Sequence, residues 1–181
     1  SDNGFFLGDN GMYDKRFMYE PSLHIPLLAT GPGIKTGQVS DAFALNVDFA
    51  PTFLDFAGIP VPPDMQGRSL MPILTGHPQK DWRKSMYYRY YHDPGNHNTR
   101  AHYGIRTATH KLIHYWKKDA WELFDLRADP NELHNLYGRA DAEKLTVELK
   151  SELARLKQEL KDENQFADEL PKDHSGGGPL K

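Results

Sequence analysis

Ser1-Asp2-Asn3-Gly4-Phe5-Phe6-Leu7-Gly8-Asp9-Asn10-Gly11-Met12-Tyr13-Asp14-Lys15-Arg16 is the stretch on which the reading of this chain turns. Asp2 and Asn3 set a carboxylate beside an amide carbonyl, two hard oxygen donors of the kind Ca²⁺ or Mg²⁺ takes. Lys15 adds a point positive charge suited to a tetrahedral oxyanion. Together they describe part of a metal-plus-anion site, whose remaining groups this sequence does not supply. Asp-Asn-Gly alone is foremost a tight-turn signal, because Asn and Gly tolerate positive φ. The tripeptide recurs at Asp9-Asn10-Gly11, where a turn is equally expected. The longer string around both copies is what lifts the site reading above the turn.

Composition narrows the function classes. The chain has 181 residues, is 38% hydrophobic and 26% charged, and carries 22 basic against 25 acidic residues for a net charge of -3. That balance gives no electrostatic reason to expect nucleic acid or an anionic membrane as partner. No apolar run approaches a bilayer span, and the first residues form no signal-peptide pattern. With no cysteine, disulfides and thiolate metal sites are excluded for this chain.

Outward from the opening, Ile25-Pro26-Leu27-Leu28-Ala29 before Gly31-Pro32-Gly33 predicts a short buried strand. Asn46 to Thr52 predicts a helix start, with Asp48 as cap and Pro51 in the first turn. Phe49, Phe53 and Phe56 then share one face, and Gly58 ends the helix. Ile59 to Pro78 reads as an ordered loop with a short helical turn, and Arg68 within it as half of a structural salt bridge. From Met86 the texture is aromatic and β-branched: Met86 to Tyr91, His102 to Ala108, His110 to Trp116 and Ala120 to Leu126 predict close-spaced antiparallel hairpins. Asp129-Pro130-Asn131-Glu132 carries a capping-box helix start. Leu145, Leu149, Leu153, Leu156 and Leu160 predict a longer helix from about Asp141, with its stripe on the chain's own sheet rather than on a coiled-coil partner. Beyond Glu163 the acidic and then Gly-rich sequence predicts a loose tail.

The ordered set of these segments resembles the formylglycine-dependent sulfatases, within the alkaline phosphatase superfamily. The residues that carry it are Ser1 to Arg16, Glu20 to Gly33, Asn46 to Thr52 and Gln66-Gly67-Arg68-Ser69-Leu70. Tyr103 to Thr107 with Lys111-Leu112-Ile113, and Trp121 to Leu126 with Asp129 to Glu132, continue the match. The resemblance implies an alkaline-phosphatase-like α/β fold of which this chain forms the C-terminal portion: main-domain part over 1–85, an α+β subdomain of antiparallel sheet and long C-terminal helix over 86–163, and a tail over 164–181. It implies hydrolysis of a sulfate ester, with Asp2 and Asn3 as ligands of a divalent cation, Ca²⁺ with Mg²⁺ as the alternative, and Lys15 contacting the sulfate. It also implies a periplasmic or secreted location.

The resemblance further places His102 and Arg106 in a segment that approaches a sugar substrate in carbohydrate sulfatases; sheet-surface salt bridging is the plainer reading of both. His92, His97 and His110 are expected to be ordinary loop or strand histidines. Asn10 stands where many relatives carry His. The Cys/Ser-x-Pro-x-Arg motif that yields the formylglycine nucleophile is absent from this sequence and is expected upstream, so the chain alone is expected to be inactive. The expected partner is a sulfated small molecule or glycan. Self-association or a domain swap is a further expectation, since bare sheet edges and faces invite it. Two alternatives remain at this point: a non-catalytic carbohydrate- or partner-binding remnant, and a two-zinc phosphodiesterase or phosphatase, against which Asn3 in place of His argues.

Overall fold

The computed structural model describes residues 1–77 and 79–164; most of the expected tail lies outside the described residues. The described chain divides into two compact units, one of residues 1–2 and 25–86, the other of residues 3–24 and 87 onward.

The first unit is organised around one buried carboxylate. Asp48 is fully buried and ends a 3-10 turn, Asn46–Asp48, just before α2 (Phe49–Phe56). It stands at the expected cap position, yet its side chain makes no cap bond to α2. It accepts instead from the backbone N–H of Leu45 and of Arg68, each at 2.8 Å, and from both terminal nitrogens of Arg83, Nη2 at 2.7 Å. A buried carboxylate needs this many donors to offset the loss of water. The Arg68 guanidinium donates to the Asp81 carbonyl at 3.1 Å. Gly67 is required by proximity: a Cβ there would lie 1.9 Å from the Val47 carbonyl oxygen. Gly58, at φ 70°, ends α2 as expected, with Ile59 N–H donating to Leu54 O at 2.9 Å. A small core joins Leu70, Ile73 of α3 (Met71–Leu74) and Trp82, with Phe49 against it.

Two expectations fail in this unit. Residues 25–29 form no strand, and Leu28 is 94% exposed; a buried strand needs flanking strands, and none of the described strands pairs there. The α2 face is not the buried one foreseen. Phe53 and Phe56 point outward while Pro51 and Thr52 are buried, because Thr52 is tied at both ends: its hydroxyl donates to Asp48 O and accepts from Leu70 N–H.

The second unit holds the sheet. Its four strands run in the order β3 (Ser85–Tyr90), β4 (His102–Thr107), β5 (His110–Tyr115) and β6 (Ala120–Asp125). β4 pairs antiparallel with β5, Ile105 opposite Leu112, and β5 with β6, Leu112 opposite Leu123. Alternation along β5 sends Leu112 to one face and Ile113 to the other. On the first face Ile105, Leu112 and Leu123 pack against Leu149, Leu153 and Leu156 of α4 (Glu143–Glu159), so the leucine stripe seats on the chain's own sheet. On the second, Ile113, Tyr115 and Phe124 pack against Phe6, Met18 and Tyr19. Those last three come from residues 3–24, which the sequence places with the first segment; burial of Phe6 and Met18, both at 0% exposure, binds them here. Gly104 admits no side chain, since a Cβ would meet Leu112 O at 2.4 Å and Met18 Sδ at 2.6 Å.

Residues 3–24 form a short hairpin, β1 (Phe6–Leu7) with β2 (Tyr13–Asp14), tipped by a 3-10 turn at Asp9–Gly11, and one helical turn, α1 (Glu20–Leu23). The helix foreseen at Asp129 is absent. Residues 129–132 make a turn that ends with Glu132 at φ 56°, a left-handed conformation that stops helical propagation. Burial of the Glu132 carboxylate draws the chain inward there instead of extending it.

Candidate functional site

Lys15 sits at the end of the β1–β2 hairpin, half-buried. Its neighbours on both sides are left-handed non-glycine residues, Asp14 at φ 78° and Arg16 at φ 98°. Such backbone costs on the order of 1–3 kcal/mol per residue and persists only where the surroundings enforce it. The enforcing contacts are visible. Asp14 is ion-paired with Arg16 and lies 3.3 Å from His97 Nε2. The Arg16 carbonyl accepts from Tyr88 Oη at 2.7 Å, and the Arg16 N–H donates to Ser22 Oγ at 3.3 Å. Among the described residues the Lys15 ammonium itself makes no hydrogen bond or ion pair. A cation fixed in place and left without a counter-charge is suited to take an anion from solution.

His102 lies beneath this segment and is fully buried. Its ring stacks with Phe17, Tyr88 and Tyr90 at 5.6–5.8 Å, and Tyr115 closes the cage at 5.3 Å. Nδ1 lies 2.7 Å from Arg100 O, and a carbonyl accepts only, so that nitrogen carries the proton. Burial pushes the imidazole down to about 4, against the smaller opposing effect of the Arg100 bond.

Arg106 is committed within the unit. Its Nε and Nη2 donate to the two carboxylate oxygens of Glu20, each at 2.9 Å, across 86 positions of sequence. Lys111, fully buried on β5, lies 2.9 Å from Glu20 Oε1 and 2.5 Å from Glu132 Oε1. Glu132 Oε2 accepts from the Glu20 N–H at 2.6 Å. Two carboxylates and two cations thus neutralise each other and clamp α1 and the 129–132 turn onto the sheet. Burial pushes the Glu20 carboxyl up, but the hydrogen bonds from Arg106 and the charge of Lys111 outweigh it and hold it at about 2. For Glu132 burial prevails over Lys111 and the shift is upward. Sequence reasoning found Arg106 and missed Lys111 and Glu132. A lysine beside the apolar pair Leu112-Ile113 on β5 was the available signal.

Asp2 belongs to the first unit and Asn3 to the second. The Asp2 carbonyl accepts from Asn46 Nδ2 at 2.6 Å. Their side-chain oxygens have the chemistry a hard divalent cation takes, but two donors are a fraction of the six to eight that Ca²⁺ needs. No cluster of three or more His, Asp or Glu placed for a metal ion occurs among the described residues. Asn10, exposed at the hairpin tip and left-handed at φ 51°, donates through Nδ2 to Asn131 O at 3.3 Å.

Residues 8–159 match the family described as N-sulphoglucosamine sulphohydrolase, C-terminal, and the chain belongs to that family. It is 50% identical over 166 residues to an N-acetylglucosamine-6-O-sulfatase of Bacteroides thetaiotaomicron, covering 90% of this chain and 30% of that protein. To human arylsulfatase K it is 36% identical over 146 residues, covering 75% of this chain and 26% of the relative. A protein solved in complex with its substrate D-glucosamine-2-N,6-O-disulfate superposes with a TM-score of 0.88 at 48% identity, over 94% of this chain and 35% of its own. The chain thus spans about a quarter to a third of the length of these relatives and corresponds to the C-terminal portion of sulfatases with the alkaline-phosphatase-like α/β fold.

Proposed function

We propose that this chain forms the C-terminal part of a sulfatase that hydrolyses sulfate esters on a sugar, with Lys15 as the group that contacts the sulfate. The observation that carries the reading is the Lys15 ammonium, half-buried, without a partner among the described residues, and held between two left-handed residues. In the reaction, charge builds on the peripheral and leaving oxygens of the sulfate, and a fixed ammonium beside them lowers the barrier. Asp2 and Asn3 are proposed to supply two oxygen ligands to a divalent cation, Ca²⁺ or Mg²⁺, which when bound would add Lewis-acid stabilisation of the same oxygens. His102 is closed inside a cage of rings and Arg106 is bridged to Glu20, so neither is assigned the sugar contact foreseen for it. The match to a sulfatase of N-acetylglucosamine 6-O-sulfate supports a sulfated amino sugar as substrate.

The nucleophile motif is not in this sequence, so the 181-residue chain alone is expected to show no turnover of an aryl sulfate; clear metal-dependent turnover would contradict that. In the longer protein that contains this segment, Lys15→Ala is expected to lower kcat/KM for N-acetylglucosamine 6-O-sulfate by about 10²-fold or more. An unchanged kcat/KM would remove Lys15 from the site.

A further inference from the structure

A cleft of about 470 Å³ lies in the second unit between the β1–β2 hairpin tip, α1 and the 130–133 turn. Its size falls in the range of small-ligand sites. Its walls are of two kinds. Asn10 and Asn131 present amides, and Asp9, Glu20 and His24 present further hydrogen-bonding groups. Between them Pro21, Pro130 and Leu133 present apolar surface, and Leu133 is 63% exposed. Amides and carboxylates interleaved with aliphatic faces match a sugar, whose hydroxyls radiate from a ring with C–H faces. They do not match a sulfate: Asp9 and Glu20 bring carboxylates, the cations beside Glu20 are already engaged, and no lysine or arginine is among the lining residues. The cleft is also held in shape. Asn10 donates across it to Asn131 O at 3.3 Å, and Glu132, between two lining residues, is fixed by the Lys111 bridge. Lys15 follows Asn10 by five positions, a reach of at most about 17 Å.

We infer that this cleft binds an unsulfated sugar unit of a glycan whose sulfated unit is held at Lys15, an inference that rests on the sulfatase reading. The probe is an unsulfated N-acetylglucosamine trimer, titrated into the 181-residue chain and followed by backbone amide NMR. Saturable shifts at Asn10, Asn131 and Leu133 are expected. Leu133→Arg and His24→Ala change exposed side chains, and each is expected to weaken the trimer about tenfold while leaving the rest of the spectrum in place. Absence of saturable shifts, or affinity in both variants equal to the parent's, would overturn the inference. A parallel titration with inorganic sulfate, read at the Lys15 amide, separates the two ideas. Trimer binding without a sulfate response at Lys15 upholds the cleft and removes Lys15 as the sulfate contact. A sulfate response without trimer binding does the reverse.

Discussion

Acid should destabilise this chain through His102 in a way that replacing that one residue removes. The ring is fully buried among Phe17, Tyr88, Tyr90 and Tyr115 and titrates near 4 in the folded chain against an ordinary 6.5. Between those values the unfolded chain binds a proton that the folded chain refuses, so folding weakens as pH falls from about 6.5 to about 4 and the loss levels off below. The gap corresponds to about 3 kcal/mol, a large part of the stability of an ordinary domain. The assay is urea unfolding at a series of pH values from 7.5 to 3.5, for the parent chain and for His102→Phe. The variant forfeits the Arg100 hydrogen bond at every pH, so it starts less stable, but it has no imidazole to protonate. Carboxylates contribute alike to both proteins. The stability difference between parent and variant should therefore shift by about 3 kcal/mol in the variant's favour from pH 7 to pH 4. Parallel curves for the two proteins would refute the reasoning, as would imidazole resonances showing a protonated His102 at pH 5.5 in the folded state.

Further outcomes follow from other residues. Lys111→Met leaves Glu132 buried without its cation and should cost about 3–5 kcal/mol in urea unfolding, most of it regained in the Lys111→Met/Glu132→Leu double variant. Asp48→Ala strands Arg83 and two backbone donors and should cost about 3 kcal/mol in the first unit, read as earlier loss of the Trp82 fluorescence signal. Gly67→Ala forces a Cβ into the Val47 carbonyl and should destabilise by about 1–3 kcal/mol; a thermal midpoint equal to the parent's would contradict that contact. Lys15→Ala should leave the thermal midpoint within about 2 °C of the parent, since its ammonium makes no bond among the described residues, while abolishing any sulfate-induced shift at that hairpin.

The sheet was legible in the sequence. Four aromatic and β-branched segments separated by short turns can satisfy their backbone groups only with one another, whereas which face Leu112 and Ile113 each take comes from the packing. The α4 stripe was legible for the same reason: its leucines recur at the helical period and need one surface. The strand read at residues 25–29 was not sound, because a run of apolar residues says nothing about whether neighbouring strands exist. The helix read at residue 129 failed because a capping box is a local signal, and burial of Glu132 against Lys111 is not local.

By itself, then, the sequence determined the local elements and the chemistry on offer: oxygen donors at Asp2 and Asn3, an ammonium at Lys15, and period-2 and period-3.6 patterns that build a sheet and a helix. Tertiary structure alone decided which charges are spent and which are left over. Arg106 meets Glu20 across 86 residues, Lys111 joins two carboxylates, and His102 disappears into a cage of rings, whereas the Lys15 ammonium makes no hydrogen bond or ion pair among the described residues. Charge pairing over such separations is set by how the hairpin docks on the sheet, and docking is driven by burial of Phe6, Met18 and Tyr19, a collective effect that no local pattern records.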